Sequence, residues 1–187
     1  MANGKIVTGL SNLTAAVWDG DGTYSGATPL MRAVSIDITP NEATENPFYA
    51  DNVIAENVVG MVKDGTIKMV GDGLLDATRK LITGTGAAVS NWYSFADTDT
   101  APYLGIGFIV RTMSAGVTKY TAVVLAKVKI TSISDKAETA EKEIKWQTCE
   151  IEGTFYSDDI ASGVWKWMSE EQTTLAAAKT LLDAKLA

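Results

Sequence analysis

The sequence predicts a mainly β protein, an antiparallel β-sandwich or half-barrel with one short inserted helix and a C-terminal helix. Three observations lead there. Period-two alternation of β-branched and aromatic residues recurs along most of the chain, while helical stripes occur only over 74–83 and 169–186. The third is the stretch 102–130, which the rest of the chain is organised around. Leu104, Ile106, Phe108 and Val110 alternate with Gly105, Gly107, Ile109 and Arg111, and Ser114-Ala115-Gly116 forms a turn. On the second arm Tyr120, Ala122, Val124, Ala126, Val128 and Ile130 alternate with Thr121, Val123, Leu125, Lys127 and Lys129. Arms of about ten residues at roughly 3.3 Å each reach about 33 Å, against a usual strand of about five or six residues. Both faces are apolar in mid-strand, so such a hairpin needs cover on both sides or neighbours that continue its sheet.

Composition narrows the function classes. A chain of 187 residues fits a single domain, 1–187, with 40–63 as an extended arm and 169–187 as the C-terminal helix. A formal net charge of −7 and the lack of a basic stripe argue against a nucleic-acid grip, because phosphate contacts need clustered Lys and Arg. No apolar run reaches the length of a membrane span, and 1–5 is expected to open no signal peptide. The one cysteine, Cys149, cannot form an internal disulfide, so assembly in a reducing cytoplasm is expected. There is no histidine, which removes Ser-His and Cys-His catalysis and the commonest zinc ligand. No cofactor, metal or catalytic residue is expected.

Residues 5–19 alternate loosely and end in Trp18-Asp19-Gly20-Asp21-Gly22, a strand running into a turn. That run lacks the distal Glu of a calcium loop, since Leu30 stands at the twelfth position. Over 30–39, Val34, Ile36 and Ile38 share one strand face, with Ser35, Asp37 and Thr39 on the other, and Pro40 stops the strand. The following 41–60 has no helical stripe and only patchy alternation. Phe48, Tyr49, Val53, Ile54, Val58 and Val59 are too many apolar groups to leave in water, so the segment reads as an arm that packs on something. A short strand at 66–70 leads through Gly71-Asp72-Gly73 to a helix over 74–83, with Leu74, Ala77 and Leu81 on one stripe and Gly84 as its stop. The strand, Gly-x-Gly, helix order is half a dinucleotide fingerprint, but Asp76 replaces the third glycine and would repel a pyrophosphate.

Residues 85–101 form a loop carrying Trp92, Tyr93 and Phe95, and 132–142 a solvated connection. A strand is predicted over 143–155, with Thr148, Glu150, Glu152 and Thr154 on its polar face and Cys149 as an inert core thiol. Trp165 and Trp167 end a last strand. Ser169-Glu170-Glu171-Gln172 has capping-box spacing, and Leu175, Ala178, Leu182 and Leu186 make the stripe of the terminal helix.

Several of these segments, in this order, resemble the major tail (tail tube) proteins of long-tailed phages of Gram-positive bacteria. They are the strand 33–39, the acidic arm with 49–52 and Glu56, the strand 66–70 with the helix 74–82, the 105–108 strand with its 119–127 partner, and 152–155. The resemblance implies a structural virion protein of the tail tube, assembled in the host cytoplasm into stacked hexameric rings. The tube conducts DNA during ejection without specific binding. The tape measure, tail terminator and tail-tip proteins are its implied partners, and no membrane is involved. It also implies that the arm engages neighbouring subunits through Pro47, Phe48, Tyr49, Asp51, Asn52, Val53, Ile54 and Glu56. A wall that passes DNA should not hold it, which makes Asp37, Glu150 and Glu152 candidates to face the lumen, with Lys127 and Lys129 able to reach the same surface.

Two other readings compete. A monomeric β-sandwich carbohydrate-binding module could use the five Trp and six Tyr as stacking platforms, although they are scattered without a recurring motif. An enzyme with paired carboxylates could use Asp97 and Asp99, which sit in a polar loop.

Overall fold

The computed structural model describes residues 4–20, 22–41, 45–50, 53–59, 62–139, 146–158 and 163–187, with backbone alone over 45–50 and 53–59. In chain order the elements are β1 Ile6–Gly20, β2 Thr23–Pro29, β3 Ala33–Pro40, β4 Glu45–Ala50, β5 Val53–Val59, β6 Asp64–Gly71, α1 Asp76–Thr83, β7 Leu104–Ser114, β8 Val117–Ser134, β9 Cys149–Tyr156, β10 Lys166–Met168 and α2 Leu175–Lys185. The main sheet is antiparallel and runs β2-β1-β7-β8-β9-β6-β3, with β10 also paired to β8; β4 and β5 form a second, two-stranded sheet.

The long hairpin is β7 and β8, joined by Ala115 and Gly116. Both central residues take positive φ (49° and 79°), the two-residue turn whose twist suits a hairpin. At 18 residues β8 serves two half-sheets. Residues from Val117 to Val128 pair with β7, and Lys127 to Ser134 pair with β9. The sheet folds over itself at this strand. Leu13 and Ala15 of β1, Phe108 of β7, Leu125 of β8, Ile67 and Met69 of β6 and Phe155 of β9 therefore belong to one buried core, to which Leu30, Met31 and Ile82 of α1 contribute. The other face of β1, β7 and β8 holds a smaller core, Ala16, Tyr24, Ile109, Ala122 and Val124, closed by Ala178, Leu182 and Leu186. A sandwich or half-barrel with two flanking helices is thus the observed class.

Glycine sets how closely α2 can lie. A Cβ added at Gly107 would sit 2.6 Å from Leu182 Cδ1 and 2.8 Å from Leu186 Cδ1, so the sheet is bare where the helix rests on it. Tyr24 fills the adjoining space, and its hydroxyl donates to the Ala126 carbonyl at 2.9 Å. Burial pushes that phenol up to about 12, assisted by the charge of Asp158.

Several local expectations change. The predicted turn at 19–22 is followed by an unforeseen strand, β2, and 30–32 lies outside β3. The inserted helix starts at Asp76, and its buried side chains are Thr78 and Ile82, while Leu74 and Leu81 pack at the margin. It ends as expected on Gly84, φ 74°, whose N–H reaches the Lys80 carbonyl. The polar connection begins later than predicted, since β8 continues to Ser134. The strand predicted over 143–155 begins at Cys149; Trp146, Gln147 and Thr148 are not strand, and 143–145 lie outside the described residues.

The largest correction concerns Ser169–Gln172. Helix α2 begins after it, capped by Thr174, whose hydroxyl accepts the Ala177 N–H at 3.2 Å. The 169–172 stretch pairs instead with β8. Ser169 Oγ accepts the Ala122 N–H, the Ser169 N–H donates to the Ala122 carbonyl, and Tyr120 and Gln172 exchange both backbone hydrogen bonds. Acids near a serine look the same in sequence whether the serine caps a helix or completes a strand edge.

Ion pairs tie the connections down. Arg79 of α1 forks onto Asp135 beyond β8, at 2.7 and 2.8 Å, and Arg32 pairs with Asp72. These hydrogen bonds hold the Asp135 and Asp72 carboxyls below the ordinary carboxylate range, as Lys136 and then Lys68 do for Glu150. Cys149 is buried, and burial pushes its thiol up. Two outcomes follow. Gly107→Val should lower unfolding stability by about 1–3 kcal/mol and reduce hydrogen-exchange protection in α2, because the added carbons displace Leu182 and Leu186. A carboxyl depressed on folding stabilises above its unfolded pKa and loses that stabilisation as pH falls. Without histidine, the melting temperature should hold steady between about pH 5 and 8 and fall below about pH 4, where these groups protonate.

Candidate assembly surfaces

The residues singled out for function fall on two surfaces, and a third comes to light only in the fold. The first is the outer face of the β8-β9-β6-β3 half-sheet. Alternation buries Ile151, Gly153 and Phe155 of β9 and turns Glu150, Glu152, Thr154 and Tyr156 outward. The register places Lys68 of β6 opposite both Asp37 and Glu152, so Asp37, Glu150 and Glu152 do share one face.

That face is not a bare acidic surface. Lys68 Nζ lies 3.2 Å from Glu150 and 3.3 Å from Glu152, and Lys136 reaches Glu150 at 3.1 Å. Lys127 and Lys129 stand on the same face, opposite Tyr156 and Thr154. Aromatic rings hold both of them. Lys127 Nζ is 4.3 Å from the Trp18 ring centre and 4.8 Å from that of Tyr103, and Lys129 is 5.3 Å from Tyr103. Tyr103 is set edge-on between Trp18 and Tyr156. Carboxylate, lysine, threonine and ring thus alternate across the surface, with opposite charges as neighbours.

The second surface is the arm. Its backbone is a hairpin, with Phe48 opposite Glu56 and Tyr49 opposite Ile54. Among the described residues its ladder hydrogen bonds run only between β4 and β5, and neither outer edge has a strand partner. The side chains of Pro47, Phe48, Tyr49, Val53, Ile54 and Glu56, and residues Asp51 and Asn52 altogether, lie outside the described residues.

The third surface was not read from sequence. β1 pairs with β2 only from Thr14 onward, and β3 is the last strand of the main sheet. The N-terminal half of β1 and the outer edge of β3 flank an open slot of about 470 Å³, lined by Val7, Leu10, Val34, Ile36, Phe108 and Val110 among others. Val34 and Ile36 are a step of two apart, and only their being on an unpaired edge distinguishes them from core residues.

The loop 85–101 carries residues that both rival readings would use. Asp99 accepts from Thr85 Oγ1 and the Ala96 N–H, closing its own loop. Trp92 is 79% exposed on a tight Val89–Trp92 turn, with Tyr93 and Phe95 beside it. Among the described residues no group of His, Cys, Asp and Glu is placed to hold a metal ion, and no helix is long and apolar enough to cross a membrane.

No protein-family model and no curated protein matches the chain. Among solved structures, it is similar to a chain in the cap of the anti-feeding prophage, described as its tube-terminating cap. That match has 10% identity and TM-score 0.47, over 87% of this chain and 89% of the other. It is also similar to a chain in the sheath–tube complex of PVC, an extracellular contractile injection system, in the extended state. There the identity is 13% and the TM-score 0.45, over 84% and 88% of the two chains.

Proposed function

We propose that this protein is the building block of a phage-type tail tube, a structural virion subunit that polymerises with itself into stacked hexameric rings around a channel for DNA. The observation that carries the reading is incompleteness. Among the described residues the main sheet ends in unpaired edges, and neither outer edge of the two-stranded arm has a strand partner. Unpaired strand edges are sites for pairing with another chain, and an isolated two-stranded hairpin is marginal in water. Neighbouring copies would complete both. The tape measure, terminator and tip proteins of such a tail are the partners this reading brings with it.

In this reading the outer face of β8-β9-β6-β3 lines the channel. Lys68 and Lys136 are paired there with Glu150 and Glu152, and Lys127 and Lys129 lie against aromatic rings. A passing phosphate chain would meet lysines interspersed with carboxylates and not a continuous basic track, which would add counterion-release affinity and slow it.

Two experiments test the proposal. Deleting 46–59 should leave a folded monomer that no longer polymerises, checked by chromatography and electron microscopy. Normal tubes from the deleted chain would remove the arm from assembly. Glu150→Lys with Glu152→Lys should leave rings intact and slow DNA ejection, most at low salt, where screening is least. Unchanged ejection, with both substitutions located in the lumen, would end the charge argument.

A further inference from the structure

We propose that the slot between β1 and β3 is the acceptor for the arm of a second copy of this chain. The arm's apolar side chains enter the slot while its carboxylates meet Lys119. The inference rests on the tube reading above and names the surface onto which the arm would lock.

The slot has the features of an unfilled contact. Val7 and Val34, at its mouth, are 67% and 64% exposed, and Ile6 beside them is exposed as well. β1 and β3 approach within 8 Å along the seam, yet no ladder hydrogen bonds join them. Apolar surface gathered at an unpaired edge marks a place for a partner.

A lysine stands on the slot's face of the sheet. Val7, Thr112 and Lys119 lie in one cross-strand row, placing Lys119 on the face that carries Phe108 and Val110. Lys119 belongs to none of the ion pairs among the described residues.

The arm offers the complement. Between Arg32 and Lys63 the sequence has no basic residue, while the arm itself holds Glu42, Glu45, Asp51 and Glu56. Those carboxylates are interspersed with Phe48, Tyr49, Val53, Ile54, Val58 and Val59. One surface is acidic and apolar, the other apolar with a lysine on its face, which favours encounter and fixes orientation. Arm and slot are different patches, so the contact is heterologous. Each copy that docks keeps one arm or one slot free, and the contact repeats around a ring or along a filament.

An arm folded back onto its own slot is the competing arrangement, because β3 both walls the slot and leads into the arm. Cross-linking separates the two. In full-length chains carrying Cys149→Ala, Val34→Cys and Ile54→Cys are made in separate proteins, mixed, and oxidised with glutathione disulfide. The mixture should give disulfide-linked heterodimer about tenfold above a control pairing Ser94→Cys with Ile54→Cys. Adding Lys119→Glu to the Val34→Cys chain should cut the yield about tenfold, the scale of one close charge pair. Glu56→Lys on the Ile54→Cys chain should restore it. Two results would overturn the proposal: a yield no higher than the control, or a doubly substituted chain that closes internally regardless of dilution. Electron microscopy of the same samples separates the readings. Tubes without the preferred link retire the acceptor alone, whereas the link without tubes supports the contact and retires the tube.

Discussion

One strand carries the architecture. β8 must satisfy β7 along its first part and β9 along its last, and it changes partners around Lys127 and Val128. Each half-sheet alone would expose an apolar face. Because both hang from the same strand, folding one over the other brings Leu13, Phe108, Ile67 and Phe155 into a single core. The two-sided apolarity of 122–126 has the same origin. Val123 and Leu125 point into the larger core, while Ala122 and Val124 point towards α2. The helix is therefore a second layer demanded by the strand and not an appendage.

The same bend divides labour between the outer surfaces. On the β1-β7-β8 side the outer face is apolar and closed by α2. On the β8-β9-β6-β3 side it is polar, and lysines lie between carboxylates or against rings. Exposed ion pairs of this kind add little to stability. Their effect is on the surface potential, which they even out over the region bearing Asp37, Glu150 and Glu152. A net charge of −7 does not disclose this; the register does.

Much of the fold was legible because period-two alternation is a local signal. The long hairpin, β3 and β6 could be read from it; the helical period picked out Ala178, Leu182 and Leu186, which are buried, but also Leu175, which is exposed. β2 escaped because Thr23–Pro29 contains two residues, Gly26 and Pro29, that usually interrupt strands, and its one buried side chain is Tyr24. Ser169 was misassigned because a side-chain oxygen aimed at a backbone N–H serves a helix start and a strand edge equally well. The candidate surfaces divide the same way. Alternation placed Asp37, Glu150 and Glu152 on the polar faces of their strands, and that the three share one face follows only with the register. The β1–β3 slot depends on which edges stay unpaired, a property of the whole sheet that no single stretch contains.

In the assembly proposed above, the pairing of Ser169–Gln172 with β8 would bear on how copies are joined. Beside β10, this short run of chain occupies the edge of β8 that would otherwise be open along Tyr120 and Ala122. A sheet with a third open edge could accept strands sideways as well as in line, and its polymers would branch. Closing that edge from within the same molecule reduces the valence of the subunit. In the tube proposed above, ordered one-dimensional growth would then depend as much on the place where addition is blocked as on the places where it is allowed.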